Sequence, residues 1–530
     1  MARTPLFRLL EKSLREAARR VREYRPEESS SKKRMGRRDF LRAASAAMIA
    51  TGGIGFLRPQ GTWASAQSAR VVVVGGGIAG LNAAYQLKKL GIDALVYEAS
   101  NRIGGRIMSV PNALGQGLIT EFGAEFIDSD HFAMWDLIRE FNLPTMDMWN
   151  DEVETEEAHV FRGTDYSEEQ IIEAFIPLAE RMDADLENIG EIVNFEEDGG
   201  AAELDQLSIS QYMERIGASG WIRQFLEIAY VAEYGLEATE QSCLNLLFLI
   251  GTDTTDGFSV YGISDERFKV EGGNSRIIEE LARRLEGQIN LGYRLTGLAQ
   301  SGEKYQLTLV HGGHTDTIDA DFVVLAVPFT ILRKVQMDVE MPEVKRRAIQ
   351  ELGYGMNAKV MLGVGQRVWR QKNHGGTFYS DTPAQCGWDS SRMQAGEAGS
   401  LTVYLGGNEG LAAGEGSPGE AAARYLDHVE AIFPGIKAAH NHKVARFHWP
   451  SHPLTFGSYS CYKVGQWTSI GGAEGLPVGN LFFAGEHCSY DYQGFMNGGA
   501  ETGAAAAEAI AERLGVAVGA ATSEAEPAAE

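Results

Sequence analysis

The stretch that decides the fold is "ARVVVVGGGIAGLNAAYQLKKLGIDALVYEAS", residues 69–100. Four consecutive valines, Val71 to Val74, suit a strand buried on both faces of a parallel sheet. Gly75-x-Gly77-x-x-Gly80 follows at once, and then a helical pattern carrying Leu81, Ala84, Leu87 and Leu90. A second short strand, Ala94 to Tyr97, ends at Glu98 and Ala99. The spacing has a mechanical reason. Gly75 makes the tight turn, Gly77 lets backbone approach a pyrophosphate, and Gly80 lets helix pack on strand. Ile78 and Ala79 belong to the helix start whose free N–H groups face the phosphates. Glu98, 18 residues beyond Gly80, is placed to accept from ribose hydroxyls. This is a dinucleotide-binding unit, and by itself it does not choose between NAD and FAD.

Reading outward, "EASNRIGGRIMSV" (98–110) places Arg102, Gly104, Gly105 and Arg106 directly after the ribose acid. This resembles the E-x-x-x-R-x-G-G-R signature of the flavin amine oxidase superfamily. The resemblance implies FAD, non-covalent here because position 458 holds a serine, with the second glycine–arginine pair along the diphosphate and flavin edge, where a guanidinium fork suits a diphosphate. It implies an α/β fold: a Rossmann-like FAD-binding domain assembled from discontinuous segments, and an α+β substrate-binding domain. "NLFFAGEHCSYDYQGFMNGGAETG" (480–503) looks like the segment that closes over the isoalloxazine. Its strand would deliver Gly485 and Glu486 to the ribityl chain. After Gly494, a helix starting near Phe495 and Met496 would aim free N–H groups at the flavin. "INLGYRLTGL" (289–298) resembles the central return of that domain, with Leu295 beside the adenine. The implied division gives 67–125, 265–346 and 447–518 to the FAD domain, and 126–264 and 347–446 to the substrate domain.

The same resemblance suggests which residues carry chemistry. In "GMNAKVMLGVGQRVW" (355–369), Lys359 matches the lysine that holds a water near the flavin, on what reads as a buried strand. In "HWPSHPLTFGSYSCYKVGQW" (448–467), Trp449 matches a ring beside the isoalloxazine and Tyr459 one wall of an aromatic cage. Phe495 stands where many monoamine oxidases have the second cage tyrosine. Ser458 replaces the cysteine that tethers flavin covalently in mitochondrial monoamine oxidases, and Cys461 is offset from that place. In "TEFGAEFIDSDH" (120–131), no arginine stands near Phe126 to pair with an amino-acid carboxylate, although Arg223 or Arg367 could supply one from elsewhere. Glu125 and Asp128 are the acids placed to receive a substrate cation.

Composition bounds the rest. Net charge is −24, yet residues 1 to 66 hold 15 Lys/Arg against 6 Asp/Glu, leaving 33 against 66 in the body. Such a surface repels phosphate backbones and draws cationic small molecules, so no nucleic-acid partner is expected. The leader has paired Arg37 and Arg38, a weakly apolar stretch from Ala43 to Leu57, and Ala64-Ser65-Ala66. It reads as a secretory signal resembling the twin-arginine type, cut near Ala66. The expectations are therefore engagement of the twin-arginine translocon, a periplasmic or secreted product and no permanent membrane anchor. Residues 519–530 are expected to fray. The 4 cysteines show no CxxC spacing, and no HExxH or Cys-His pattern signals a metal. The activity expected is oxidation of a primary or secondary amine to an imine with O2 reduced to H2O2. An L-amino-acid oxidase, an amine dehydrogenase serving a periplasmic carrier and a non-catalytic flavin-binding protein stay open, as does a homodimeric assembly.

Overall fold

A computed structural model describes residues 69–151, 156–255 and 257–517. The expected leader with its cleavage site, and the tail from 519, lie outside the described residues. Val71–Val74 is the centre of a five-stranded parallel sheet, all four valines buried. Each such side chain contributes roughly 1.5 to 3 kcal/mol by leaving water. Phe322–Leu325 and Leu481–Phe483 lie on one side of it; Ala94–Glu98 and Ile289–Leu291 lie on the other. Segments from four distant parts of the chain thus share one sheet.

The first described helix, Ile78–Lys89, and the last, Met496–Arg513, cross against each other at glycine. A Cβ on Gly503 would stand 2.2 Å from Ala79 O, and one on Gly499 would stand 2.8 Å from Ile78 Cγ2. Asn82 Nδ2 donates to Ala500 O at 2.7 Å across the same crossing. Small residues here let the two ends of the described chain come together, which brings the closing segment beside the dinucleotide turn.

A four-stranded sheet, ordered His314–Ala320, Lys304–His311, Arg294–Ser301, Gln336–Asp338, extends this body. A separate seven-stranded sheet takes Glu156–Phe161 and Thr164–Asp165 together with strands between His374 and His448 and the strand Ala358–Val364. In that sheet Ala358–Val364 pairs on both sides, with Gly399–Leu405 and His440–His448, and all seven of its residues are buried. Helix Gly220–Tyr234 lies against this sheet, and Pro418–Ile432 packs its apolar residues into a core with Val360, Leu362 and Val403. Two ladders cross the divisions drawn from sequence. His440–His448 runs two residues beyond 446, and Phe268–Val270 pairs with Thr145–Asp147. Among the described residues, no helix is long and apolar enough to cross a membrane.

Candidate active site

One cavity of about 1060 Å³ runs between the parallel sheet and the seven-stranded sheet. At its first end lies the glycine turn. Gly75 has φ +111°, and a Cβ there would sit 2.3 Å from Ala326 O, so only glycine fits the strand-to-helix turn. Gly77 is the opposite case: a Cβ would meet only Gly105 Cα at 4.0 Å, so the space beside it opens to the cavity. Ile78, Ala79, Glu98, Ala99, Gly104 and Gly105 share this wall, with Leu295 beyond them. Gly80 alone of the expected residues is off the wall; its Cβ would lie 2.0 Å from Gly75 O, making it the helix-on-strand contact.

The charged residues of this end differ in part from expectation. Glu98 accepts from the backbone N–H groups of Gly76 at 2.7 Å and Ser100 at 2.8 Å, which locks the acid at the strand end. Arg102, expected among the cofactor-binding residues, turns its guanidinium onto the carbonyls of Gly105 at 2.6 Å and Ile103 at 3.1 Å, so it braces its own loop. Arg106 donates to Glu486 at 2.7 Å and to Ser458 O at 2.8 Å. Glu486, expected at the ribityl chain, also accepts from Ser460 Oγ at 2.7 Å and Gly494 N at 2.9 Å. Burial opposes its charge, but Arg106 and the Ser460 hydroxyl are among the groups that together outweigh this and hold the carboxyl below its usual range. The Arg106–Glu486 pair ties the dinucleotide segment to the closing segment.

Gly485, Gly494, Phe495 and Met496 reach the same cavity. Neither helix whose N-terminus opens onto it has a side-chain cap or an acid in its first turn, so both present uncapped N–H groups. His487 on the wall has no hydrogen-bond partner on either ring nitrogen, and burial drives its pKa down to about 3, so it is neutral. An orphaned imidazole, an open glycine and two uncapped helix starts are what a large polar, anionic cofactor with a flat ring would satisfy.

Farther along, Lys359, Trp449 and Tyr459 line the cavity as expected positions, and their partners are now visible. Tyr459 OH lies 2.8 Å from Tyr404 OH and donates to Glu233 O. Trp449 packs on Phe447 at 4.3 Å and His452 at 5.6 Å between centroids. Phe495 packs on His131 at 5.3 Å. Lys359 Nζ donates to Glu125 Oε2 at 2.8 Å, Gly123 O at 2.8 Å and Glu121 O at 3.2 Å. Glu125, expected to receive a substrate cation, is corrected: its other oxygen takes Lys269 Nζ at 2.6 Å, so both oxygens are held by lysines. Asp128 lines the cavity but accepts from Ser264 Oγ at 2.7 Å and Glu266 N at 3.2 Å, and burial raises its pKa to about 6. It shares a corner with Asp130 and His131, whose Nδ1 accepts from Asp128 N at 3.0 Å. Neither Arg223, paired with Glu227 at 3.1 Å, nor Arg367, bonded to Ser391 and Gln394, reaches the cavity. Ser458 lines it and Cys461 does not; all four cysteines are free thiols.

Sequence reasoning missed the acids of the far end. Glu157, Glu233 and Glu266 line it from three separate elements, and Glu266 has φ +43°. Glu157 lines the cavity with its side chain about 52% exposed, and the packing around it together with Glu168 lifts its pKa to about 7. Burial and the neighbouring acids Glu233 and Asp128 raise Glu266 well above a normal carboxyl. No spacing in the chain announces these acids, because they meet only through packing.

The family model of flavin containing amine oxidoreductases matches residues 78–511. Amine oxidase [flavin-containing] A of Sus scrofa is 26% identical over 466 residues, covering 84% of this chain and 85% of its own. An L-amino acid dehydrogenase of Synechocystis is 24% identical over 471 residues, covering 85% and 97%. Among solved structures, cyclohexylamine oxidase from Brevibacterium oxydans superposes with TM-score 0.74 at 20% identity, covering 84% of this chain and 99% of that one. Putrescine oxidase bound to putrescine gives TM-score 0.70 at 21% identity with the same coverage. With the glycine turn, the closing segment and one continuous cavity between them, the chain belongs to the flavin-containing amine oxidoreductase family, and its cofactor is FAD.

Proposed function

We propose that the protein is an FAD-dependent amine oxidase that converts a small primary or secondary amine to an imine, with O2 reduced to H2O2. The observation that carries this reading is the continuity of the cavity from the glycine turn, past Lys359, Trp449 and Tyr459, to an end lined by Asp128, Glu157, Glu233 and Glu266. When bound, FAD supplies the hydride-accepting chemistry, and the protein supplies position and charge. Gly75, Gly77, Arg106 and the start of Met496–Arg513 would hold it. The aromatic faces of Tyr459, Tyr404 and Trp388 orient the amine, and the acids beyond draw it in as a cation. Diamines fit the acid-lined end, since a second ammonium can stay there while the first reacts. With Arg223 and Arg367 both off the cavity wall, an amino-acid carboxylate loses the two clamps that sequence had offered it.

Binding without a covalent link is supported by Ser458 at the tethering position. Export by the twin-arginine route is supported by Arg37 and Arg38 ahead of the small-residue cleavage site.

The test is anaerobic mixing of purified holoprotein with monoamines, diamines and L-amino acids, followed by admission of air. Bleaching of the flavin by amines, with peroxide released on reoxidation, is the expected result. Bleaching without rapid reoxidation would assign the dehydrogenase reading instead. No bleaching by any amine would leave a flavin-binding protein without this activity.

A further inference from the structure

One wall of the cavity is a single row of side chains laid across the seven-stranded sheet. Residues paired on neighbouring strands project to the same face, and the pairing here is continuous. Lys359 opposes Tyr404, Tyr404 opposes Cys386, Cys386 opposes Tyr379, and Tyr379 opposes His159. All five line the cavity. Neighbouring strands stand about 4.8 Å apart, so the row measures roughly 19 Å from Lys359 to His159, with Cys386 about 10 Å from either end. It forms a track from Lys359 toward the acid-lined end, where Glu157 stands two residues before His159 on the same face of the strand Glu156–Phe161.

Rings crowd both halves of this track. In the near half, Tyr404 OH lies 2.8 Å from Tyr459 OH, and the Tyr404 ring is 5.2 Å from that of Trp388. In the far half, Tyr379 stacks on His159 at 5.6 Å and 10°, and Phe225 meets both edge-on, 5.2 Å from Tyr379 and 5.0 Å from His159. Each of these rings would lose a partner by swinging aside. Between the two groups the track carries only a thiol. Cys386 is 5% exposed and rests its Sγ on Tyr404 O at 3.6 Å. Burial pushes that thiol up, away from the reactive thiolate, so what Cys386 brings to the wall is its small size.

We propose that Cys386 is a specificity-determining residue: a small side chain between two fixed groups of rings, it sets the passage through which the unbranched tail of a substrate amine reaches the far end of the cavity. The proposal rests on the amine reading above and deepens it by naming which amines the site takes, those whose tail is long enough to pass Cys386. Each methylene that leaves water tightens binding by about fourfold. Affinity should therefore climb with tail length for as long as the passage is open, and a larger residue at 386 should stop the climb early.

The experiment measures by calorimetry the dissociation constants of n-alkyltrimethylammonium ions, from ethyl to decyl, for the parent holoprotein and for Cys386→Leu, Cys386→Val and Cys386→Ser. A quaternary nitrogen has no lone pair to give up, so these ions are held without being oxidised. In the parent, affinity should rise across the series. In Cys386→Leu it should rise with the short tails and then level, leaving the decyl ion at least about tenfold weaker than in the parent, and in Cys386→Val it should level by a smaller factor. Cys386→Ser, matched in size, should keep the parent profile. A folded, flavin-containing Cys386→Leu protein with the parent profile overturns the proposal, as does a parent whose affinity stops rising at short tails. A levelled profile in Cys386→Ser overturns it too, because the thiol and not its size would then be the determinant. Should Cys386→Leu fail to fold, an unaltered profile in Cys386→Val decides against it equally. Binding of no member of the series would sink the proposal together with the amine reading, whereas the expected profiles in a protein that oxidised no amine would defeat the oxidase reading alone.

Discussion

The two ends of the cavity are built on different principles. The cofactor end is made of backbone: a positive-φ turn at Gly75, an open Gly77, and two helix starts without caps. The far end is made of side chains, with Asp128, Glu157, Glu233 and Glu266 converging from a loop, a strand edge and a helix. Backbone recognition needs small residues at fixed short spacings, so each of its two parts stays within one short stretch of chain. Side-chain recognition needs only that charges meet, and it can draw on elements far apart. If the acid-lined end receives the amine as proposed, binding of the cofactor and choice of substrate are separable in this molecule, and mutation can test that separation.

The largest effect is expected from Gly77→Val. The residue has ordinary extended backbone, φ −81° and ψ −178°, and the protein leaves its side-chain space open. The apoprotein should therefore melt as the parent does, while flavin content after reconstitution with excess FAD falls at least about 100-fold, because the valine occupies the pyrophosphate approach. A yellow Gly77→Val protein would break the assignment of that end. Next, Glu486→Ala removes the partner of Arg106, leaves a guanidinium without its anion, and should cost roughly 3 kcal/mol in denaturant unfolding of the apoprotein.

Lys359→Met should keep its flavin yet slow the reductive or oxidative half-reaction by about tenfold or more in stopped-flow; unaltered rates in both would remove Lys359 from the chemistry. At the far end the expected change is in pH dependence. Asp128 and Glu157 are raised by burial to about 6 and about 7, so the folded protein holds their protons to higher pH than the unfolded chain. Their contribution to stability is full below about pH 4 and is lost as pH rises through 6 and 7. A cationic amine favours the ionised acids, so its KM should fall between pH 6 and 7 while flavin affinity stays constant. A flat KM there would mean that these acids do not meet the substrate. The smallest effect is expected of Ser167→Ala, which opens the capping box of helix Glu168–Leu186. It should lower stability by about 1 kcal/mol and shift KM with no change in flavin binding.

Particular residues show how much was legible. Val71 to Glu98, Gly485 and the helix after Phe495 stand where their spacing placed them, since each motif carries its geometry locally. Arg102 and Glu125 were legible as site residues but not in what they do. Arg102 turned to nearby carbonyls, and Glu125 found two lysines, one of them 234 positions away in the chain. His487 carried one signal that went unused, a histidine directly after Gly485-Glu486 in the closing segment.

The chain by itself determined the dinucleotide turn, the flavin signature and the identity of the segment that closes on it. Those depend on steric demands of a few consecutive residues, which any context must respect. Only the tertiary structure decided the partners of the charges: Arg106 with Glu486, Glu125 between Lys269 and Lys359, and four acids gathered at one end of a cavity. A buried charge is settled by whichever counter-charge packing brings within about 3 Å, and that distance is a property of the folded whole.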